Sequence, residues 1–153
     1  MNPEISVVVP VYDEEGNVAD LAREIAAAFK GRSYEMIFID DRSKDATLKV
    51  LEGLKAELPT LRVLAHAKNA GQSRAVRSGV LAAKGEIIVT LDGDGQNDPA
   101  DAPRLVDRLK AGGDRLGLVG GRRTKRQDTA SKRWASKLGN GIRSRLLGDN
   151  CDD

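Results

Sequence analysis

Ile5-Ser-Val-Val-Val-Pro10 is a short β-branched run with almost no polar interruption, the pattern of a strand buried on both faces rather than one with a wet side. A strand of that kind belongs to a parallel sheet with helices packed above and below it. Pro10 is expected to end it. Asn17 then stands where a helix cap is needed, ahead of Val18, Leu21, Ala22, Ile25 and Phe29, which recur with a helical period while Asp20, Arg23, Glu24 and Lys30 fall on other faces. The same alternation continues. Tyr34 to Ile39 reads as a second strand, and Leu48, Leu51, Leu54 and Leu58 line a helix that Pro59 stops. Leu61 to Ala65 makes a third strand, followed by a helix carrying Ala75, Val76, Gly79, Val80 and Ala83. Glu86 to Leu91 gives a fourth, expected to lie centrally, followed by a helix from about Pro99 to Ala111, and Leu116-Gly-Leu-Val119 a fifth. Strands alternating with helices through short connections predict a Rossmann-like α/β sheet with helices on both faces.

The chain has 153 residues, enough for one core. Its 25 basic and 23 acidic residues leave a net charge of only +2, too small to imply nucleic-acid binding by itself. Cys151 is the single cysteine, so no intrachain disulfide forms and a reducing compartment is expected. Met1-Asn-Pro-Glu4 leads directly into a strand without a secretory pattern, and no segment approaches the roughly 20 apolar residues that span a bilayer. The expectation is a soluble or peripheral chain.

Ligands of open α/β sheets bind beyond the carboxyl ends of the strands, and the polar clusters of this sequence fall there. Tyr12-Asp-Glu14 follows the first strand, Asp40-Asp41-Arg-Ser43-Lys-Asp45 the second, and Asn69-Ala-Gly71-Gln-Ser73 the third. Asp92-Gly93-Asp94 follows the fourth and Gly120-Gly-Arg122 the fifth. Two carboxylates at the tip of a buried strand repel each other and call for a cation; Gly93 lets the backbone turn and a ligand come close. Oxygen donors favour Mg²⁺ or Mn²⁺, with Gln96 as a further ligand and phosphate oxygens completing the shell. A calcium loop of the EF-hand type is excluded, because Asn97 stands where its glycine belongs and Pro103 where its glutamate belongs. Asp45 reads either as a helix cap or as a site residue. One of Asp40 and Asp41 is expected to enter the crevice, where it would accept hydrogen bonds from a nucleobase or a ribose. Tyr12 and Glu14 read as holders of a base and a sugar, or as exposed loop residues. No Gly-x-Ser-x-Gly elbow accompanies Ser73 and His66, and no glycine-rich turn follows the first strand, which argues against a serine hydrolase and a dinucleotide oxidoreductase.

Residues 125–145 are basic, with Asp128 the only acid among Lys125, Arg126, Lys132, Arg133, Lys137, Arg143 and Arg145. Trp134, Leu138, Ile142 and Leu146 recur every four residues, giving an amphipathic helix that reads either as an ordinary surface helix or as one meeting anionic lipid. Nucleic acid is the weaker partner, since stacking aromatics are nearly absent.

Val9-Pro-Val-Tyr-Asp-Glu14, Ile39-Asp-Asp-Arg-Ser-Lys-Asp45, Asn69-Ala-Gly-Gln-Ser73 through Gly79, and Leu91-Asp-Gly-Asp-Gly-Gln-Asn-Asp-Pro99 together resemble family 2 glycosyltransferases of the GT-A fold. The branch is that of the dolichol-phosphate mannose synthase-like, polyprenyl-phosphate glycosyltransferases. The resemblance implies that Pro10, Tyr12, Glu14, Ile39 and Asp41 hold the nucleoside, and that Asp92, Gly93 and Asp94 with Gln96 bind the metal and diphosphate. It further implies that Arg122 meets the donor phosphates or the acceptor, making Asp92, Asp94 and Arg122 the catalytic set. Lys132, Arg133, Ser136 and Lys137 would face a lipid phosphate. Asp13 replaces the family's usual Asn, and Arg42 and Ala46 replace frequent glycines. The implied organisation is a nucleotide-sugar-binding domain over residues 1–123 and a basic helical segment over 124–153, truncated on the acceptor side. The implied activity is inverting, metal-dependent hexosyl transfer from a GDP- or UDP-linked donor to a polyprenyl phosphate, at the cytoplasmic face of a membrane. The alternative is a non-catalytic nucleotide-sugar-binding fragment.

Overall fold

The structure, a computed structural model, describes residues 2–121. Four parallel strands, β1 (Ile5–Val11), β2 (Tyr34–Asp40), β3 (Leu61–Ala65) and β4 (Ile87–Thr90), form one sheet in the order β3-β2-β1-β4. Helices α1 (Val18–Ala28), α2 (Thr47–Leu54), α3 (Gln72–Ala82) and α4 (Ala102–Ala111) connect or follow them, with a 3₁₀ turn over Pro99–Asp101 leading into α4 and another over Gly113–Arg115.

β1 is one of the two inner strands and is buried along its whole length. Its odd-numbered residues Ile5, Val7, Val9 and Val11 join Met36 and Phe38 under α1, α2 and α4. On the opposite face Val8, Ile37 and Ile39 lie against Ala75 of α3. The period of two along the strands thus sorts the core into two layers, with helices on both faces as the sequence predicts. Gly79 lets α3 settle onto this second layer: a Cβ there would stand 2.5 Å from Val8 Cγ1 and 2.6 Å from Ile39 Cδ1.

Several local expectations change. β1 continues through Pro10 to Val11 instead of stopping. The ladder to β4 runs only from Ile5↔Ile87 to Val8↔Thr90, so the missing N–H of Pro10 falls beyond its end and costs no sheet bond. β4 is an edge strand among the described residues, not a central one, and Ile88 is 39% exposed. The fifth strand expected at Leu116–Val119 is not formed: among the described residues these four have no ladder partner, and Leu118 is 85% exposed. An apolar tetrapeptide becomes a strand only when a neighbour accepts its backbone bonds. Asn17 does not cap α1 with its side chain; its Nδ2 donates instead to Glu14 Oε2 at 2.6 Å.

At the amino ends of the strands, away from the rim, Glu35 is 6% exposed. It accepts from Ser6 Oγ at 2.8 Å, Lys84 N at 2.7 Å and Arg62 Nη1 at 2.6 Å. Burial pushes its carboxyl up, but the bonds from Arg62, Ser6 and the Lys84 amide outweigh this and hold it below the ordinary carboxylate value. Arg62 also donates to Ala82 O, so the network ties the end of α3 to three strands.

Candidate functional site

Because all four strands are parallel, the loops that follow them emerge along one edge. The first two loops are laced together. Lys44 N donates to Asp13 Oδ1 at 2.6 Å and Asp13 N to Ser43 Oγ at 3.0 Å. Glu14 N donates to Thr47 Oγ1 at 2.8 Å, Glu15 N to Asp45 Oδ2 at 3.1 Å, and Ala46 N to Glu15 Oε2 at 2.8 Å. Asp45 also takes the amide and hydroxyl of Thr47 on Oδ1, so from one residue ahead of the Ala46 N-cap it holds the first amide of α2 and joins the loops at once. Burial raises its carboxyl, but bonds from the Thr47 hydroxyl and the Thr47 and Glu15 amides bring it below its usual range. Asp13 and Arg42 adopt left-handed backbone, with φ of 54° and 66°. Arg42 is therefore strained at a position where the resemblance leads one to look for glycine.

Asp40 and Asp41 are both nearly inaccessible, 2% and 3% exposed, so neither opens into the crevice as the strand-end argument predicts. Backbone donors wrap them. Ser43 N lies 3.3 Å from each Asp40 oxygen. Asp41 Oδ1 accepts from Ala70 N at 2.9 Å and Oδ2 from Gly71 N at 2.7 Å, while Asn69 Nδ2 donates to the Asp41 carbonyl. His66 completes the shell, with Nδ1 2.6 Å from Asp41 Oδ1 and Nε2 2.9 Å from Ser78 Oγ. Burial works to raise the Asp41 carboxyl; the bonds from His66, Ala70 and Gly71 prevail and lower it. An ionised Asp41 only accepts, so Nδ1 of His66 carries the proton between them.

The Asp92-Gly93-Asp94 turn leaves β4 and meets the end of β1. Leu91 N donates to Val8 O at 3.1 Å, and two residues on, the Pro10 carbonyl faces Gly93. A Cβ on Gly93 would lie 2.6 Å from Pro10 O and 2.6 Å from Val11 Cγ1, which is the close approach expected of this glycine. Asp92 is half-buried; its Oδ1 accepts from Gln72 Nε2 at 2.9 Å and its Oδ2 from Asn97 Nδ2 at 3.2 Å. Asp94 is exposed, and its Oδ1 accepts from Gln96 N at 3.0 Å, closing a tight turn.

The predicted residues thus divide. Pro10, Gly93 and Asp92 are brought together, and Asp41 reaches Asp92 indirectly, through the loop that carries Gln72. Tyr12, 38% exposed, and Glu14 stand on the rim. Pro10 and Ile39 are buried, Ile39 under α3 and paired in the sheet to both Pro10 and Leu64, so neither side chain opens onto the rim as the resemblance implies. Arg122, Lys132, Arg133, Ser136 and Lys137 lie outside the described residues. Gln72, His66, Ser78 and Asn97 were not singled out by the sequence as parts of this arrangement, although Gln72 sits inside the third rim cluster. Among the described residues no group of three or more His, Cys, Asp and Glu side chains gathers around one point. The acidic side chains at the turn are Asp92 and Asp94, whose carboxylate oxygens are the donor type that a hard cation takes. No helix among the described residues is long and apolar enough to cross a membrane.

Residues 6–153 match the family model described as glycosyl transferase family 2. The chain is 40% identical over 140 residues to the undecaprenyl-phosphate 4-deoxy-4-formamido-L-arabinose transferase of Pseudomonas aeruginosa, covering 89% of this chain and 40% of that protein. It is 39% identical over 153 residues to the transferase of the same name from Shewanella sediminis, covering 97% and 45%. The chain therefore spans less than half the length of these curated relatives. In fold it resembles a mannosyltransferase from Pyrobaculum calidifontis solved with GDP-Man and Mn²⁺, at a TM-score of 0.59 and 22% identity over 67% of this chain and 31% of that one. It also resembles S. aureus TarS 1-349 in complex with UDP, at a TM-score of 0.57 and 26% identity over 72% and 33%. Glucosyl-3-phosphoglycerate synthase from Mycobacterium tuberculosis, solved with Mn²⁺, UDP and glucosyl-3-phosphoglycerate, matches at a TM-score of 0.57 and 27% identity over 70% of this chain and 39% of that one. The sheet is the Rossmann-like part of a GT-A glycosyltransferase fold, and with a family model matched over nearly its whole length the chain belongs to glycosyl transferase family 2.

Proposed function

We propose that this chain carries the donor site of an inverting, metal-dependent glycosyltransferase that moves a sugar from a GDP- or UDP-linked donor to a polyprenyl phosphate at the cytoplasmic face of a membrane. The observation that carries the reading is the Asp92-Gly93-Asp94 turn at the carboxyl end of β4, pressed onto the Pro10 carbonyl in a family 2 chain. The names of the curated relatives, which are undecaprenyl-phosphate sugar transferases, support the acceptor class.

In this reading Tyr12 and Glu14 at the rim hold the nucleoside, while Asp41, enclosed by the Ala70 and Gly71 amides and His66, supports the loop beside it. Asp92 and Asp94, with Gln96, would hold Mg²⁺ or Mn²⁺ beside the diphosphate, which the carboxylate oxygens fit. When bound, the ion supplies charge stabilisation to the departing nucleoside diphosphate. Arg122 adds a positive charge for the donor phosphates, and Lys132, Arg133, Ser136 and Lys137 meet the lipid phosphate. An acceptor phosphate oxygen attacks the anomeric carbon as its bond to the diphosphate breaks, and the diphosphate leaves with the electron pair. A phosphate acceptor is already ionised near neutral pH, so no strong protein base is required.

The test is calorimetric titration of the chain with UDP, GDP and their sugar conjugates, with and without Mn²⁺, followed by a transfer assay to a short prenyl phosphate. Mn²⁺-dependent transfer supports the reading, whereas donor binding without transfer favours a non-catalytic nucleotide-sugar-binding module. Asp94→Asn is expected to remove Mn²⁺-dependent nucleotide binding at an unchanged melting temperature, since it deletes a charge on an exposed side chain with little change in volume. Undiminished affinity would sink the metal assignment.

A further inference from the structure

The Asp92 carboxylate is not aimed by its own turn alone. Its Oδ1 takes the Gln72 carboxamide at 2.9 Å, and Gln72 is the first residue of α3. The residue before it, Gly71, and Ala70 are fixed by their N–H groups to the buried Asp41 carboxylate, on which His66 also donates. His66 in turn reaches back to Ser78, two turns further along the same helix. Asp41 and His66 therefore grip α3 at its first residues and at its middle, and the helix presents Gln72 to Asp92. Every link is a hydrogen bond with at least one partially or fully buried member, and the last, from the exposed Gln72 to the half-buried Asp92, ends at the rim.

We propose that Gln72, set in place by the Asp41–His66 bridge, is a positioning residue that orients Asp92 in the donor site. This rests on the donor-site reading above and adds to it a residue that touches neither nucleotide nor ion. An amide donor on one carboxylate oxygen restrains the rotation of that carboxylate, here together with Asn97 Nδ2, which donates to the other oxygen at 3.2 Å. A leucine at position 72 keeps nearly the same volume and removes the donor.

The experiment uses the whole chain with Gln72→Leu and His66→Gln variants. Mn²⁺ alone, and UDP and GDP with and without Mn²⁺, are titrated by calorimetry. Gln72→Leu is expected to lose about 10-fold or more of the Mn²⁺-dependent affinity, the range seen when outer partners of metal ligands are removed. Its melting temperature and its metal-free nucleotide affinity are expected to stay at the wild-type values. His66→Gln is expected to show the same sign of effect, together with faster hydrogen exchange at the Ala70 and Gly71 amides. With no ligand present, the Gln72 side-chain amide resonances are expected to move on Asp92→Ala. Wild-type Mn²⁺-dependent affinity in Gln72→Leu overturns the proposal. So does an equal loss with and without Mn²⁺, which would make Gln72 a direct nucleotide contact. A wild-type chain that binds neither nucleotide with Mn²⁺ overturns the donor-site reading, and the proposal's orienting link is then judged by the Gln72 resonances: unmoved in Asp92→Ala, they overturn it separately.

Discussion

Replacing Gly79 by alanine sets two effects of opposite sign against each other, and the structure decides between them. In the middle of a helix, alanine is favoured over glycine by about 0.8–1.0 kcal/mol through backbone entropy alone. At this position, however, the new Cβ would sit 2.5 Å from Val8 Cγ1 and 2.6 Å from Ile39 Cδ1. Ile39 has a flexible end that can give way. Val8 cannot readily do so, because it is β-branched, fully buried and held in an inner strand. Overpacking of this kind costs about 1–3 kcal/mol. The difference is a net destabilisation of about 1 kcal/mol, or roughly 3–5 °C in melting temperature for a chain of this size. Urea unfolding with an unchanged m-value is the assay. Adding Ile39→Val removes the nearer flexible contact, so the double variant is expected to be more stable than the sum of the singles by about 0.5 kcal/mol or more. A Gly79→Ala chain stabilised by the full propensity gain would refute the close seating of α3 on the sheet, and with it the geometry by which α3 presents Gln72.

Two further substitutions test the rest of the framework. Glu35 has a folded-state pKa below its unfolded value, so its contribution is fully present above the ordinary carboxylate range near about 4.3 and is lost as pH falls through the lower folded value. Glu35→Gln is expected to flatten the acid limb of the stability curve and to cost about 1.5–3 kcal/mol at neutral pH, toward the lower end because the Arg62 side chain is 35% exposed and rehydrates; an unchanged acid limb in chemical denaturation would count against the network. Arg42→Gly relieves a left-handed backbone that costs about 1–2 kcal/mol and adds unfolded-state entropy worth about 0.5–1 kcal/mol, so a small gain in denaturation midpoint is expected. A clear loss there would show that the Arg42 side chain makes a contribution its exposed position does not suggest.

The sheet was readable because β1 advertises its place: a strand that is apolar on both faces has to be covered twice, and the helical periods on either side of it supply the cover. The reading failed where the answer depends on a partner. Among the described residues Leu116–Val119 has a strand's composition but no neighbour to bond, and the apolar run at β4 looks central while its outer edge lies open. The site shows the same division. Asp92, Gly93 and Asp94 announce themselves by type and spacing, and Asp41 by its place at a strand end. Nothing local says that Asp41 spends its oxygens on amides 29 and 30 residues away, or that Asp13, Glu15 and Asp45 bond across loops rather than to a ligand. Carboxylates choose between ligand and backbone only after the chain has brought the amides to them.

The lacing of the first two loops bears on how a ligand is received. Five bonds run both ways between residues 13–15 and 43–47, so neither loop rearranges without breaking contacts in the other. A molecule arriving at this rim meets a surface whose ordering entropy was already spent during folding, and more of its contact energy is left over as affinity. The same coupling restrains divergence: a change of residue in one loop that suits a new ligand must also keep its partners in the other, so the two loops are expected to change in concert.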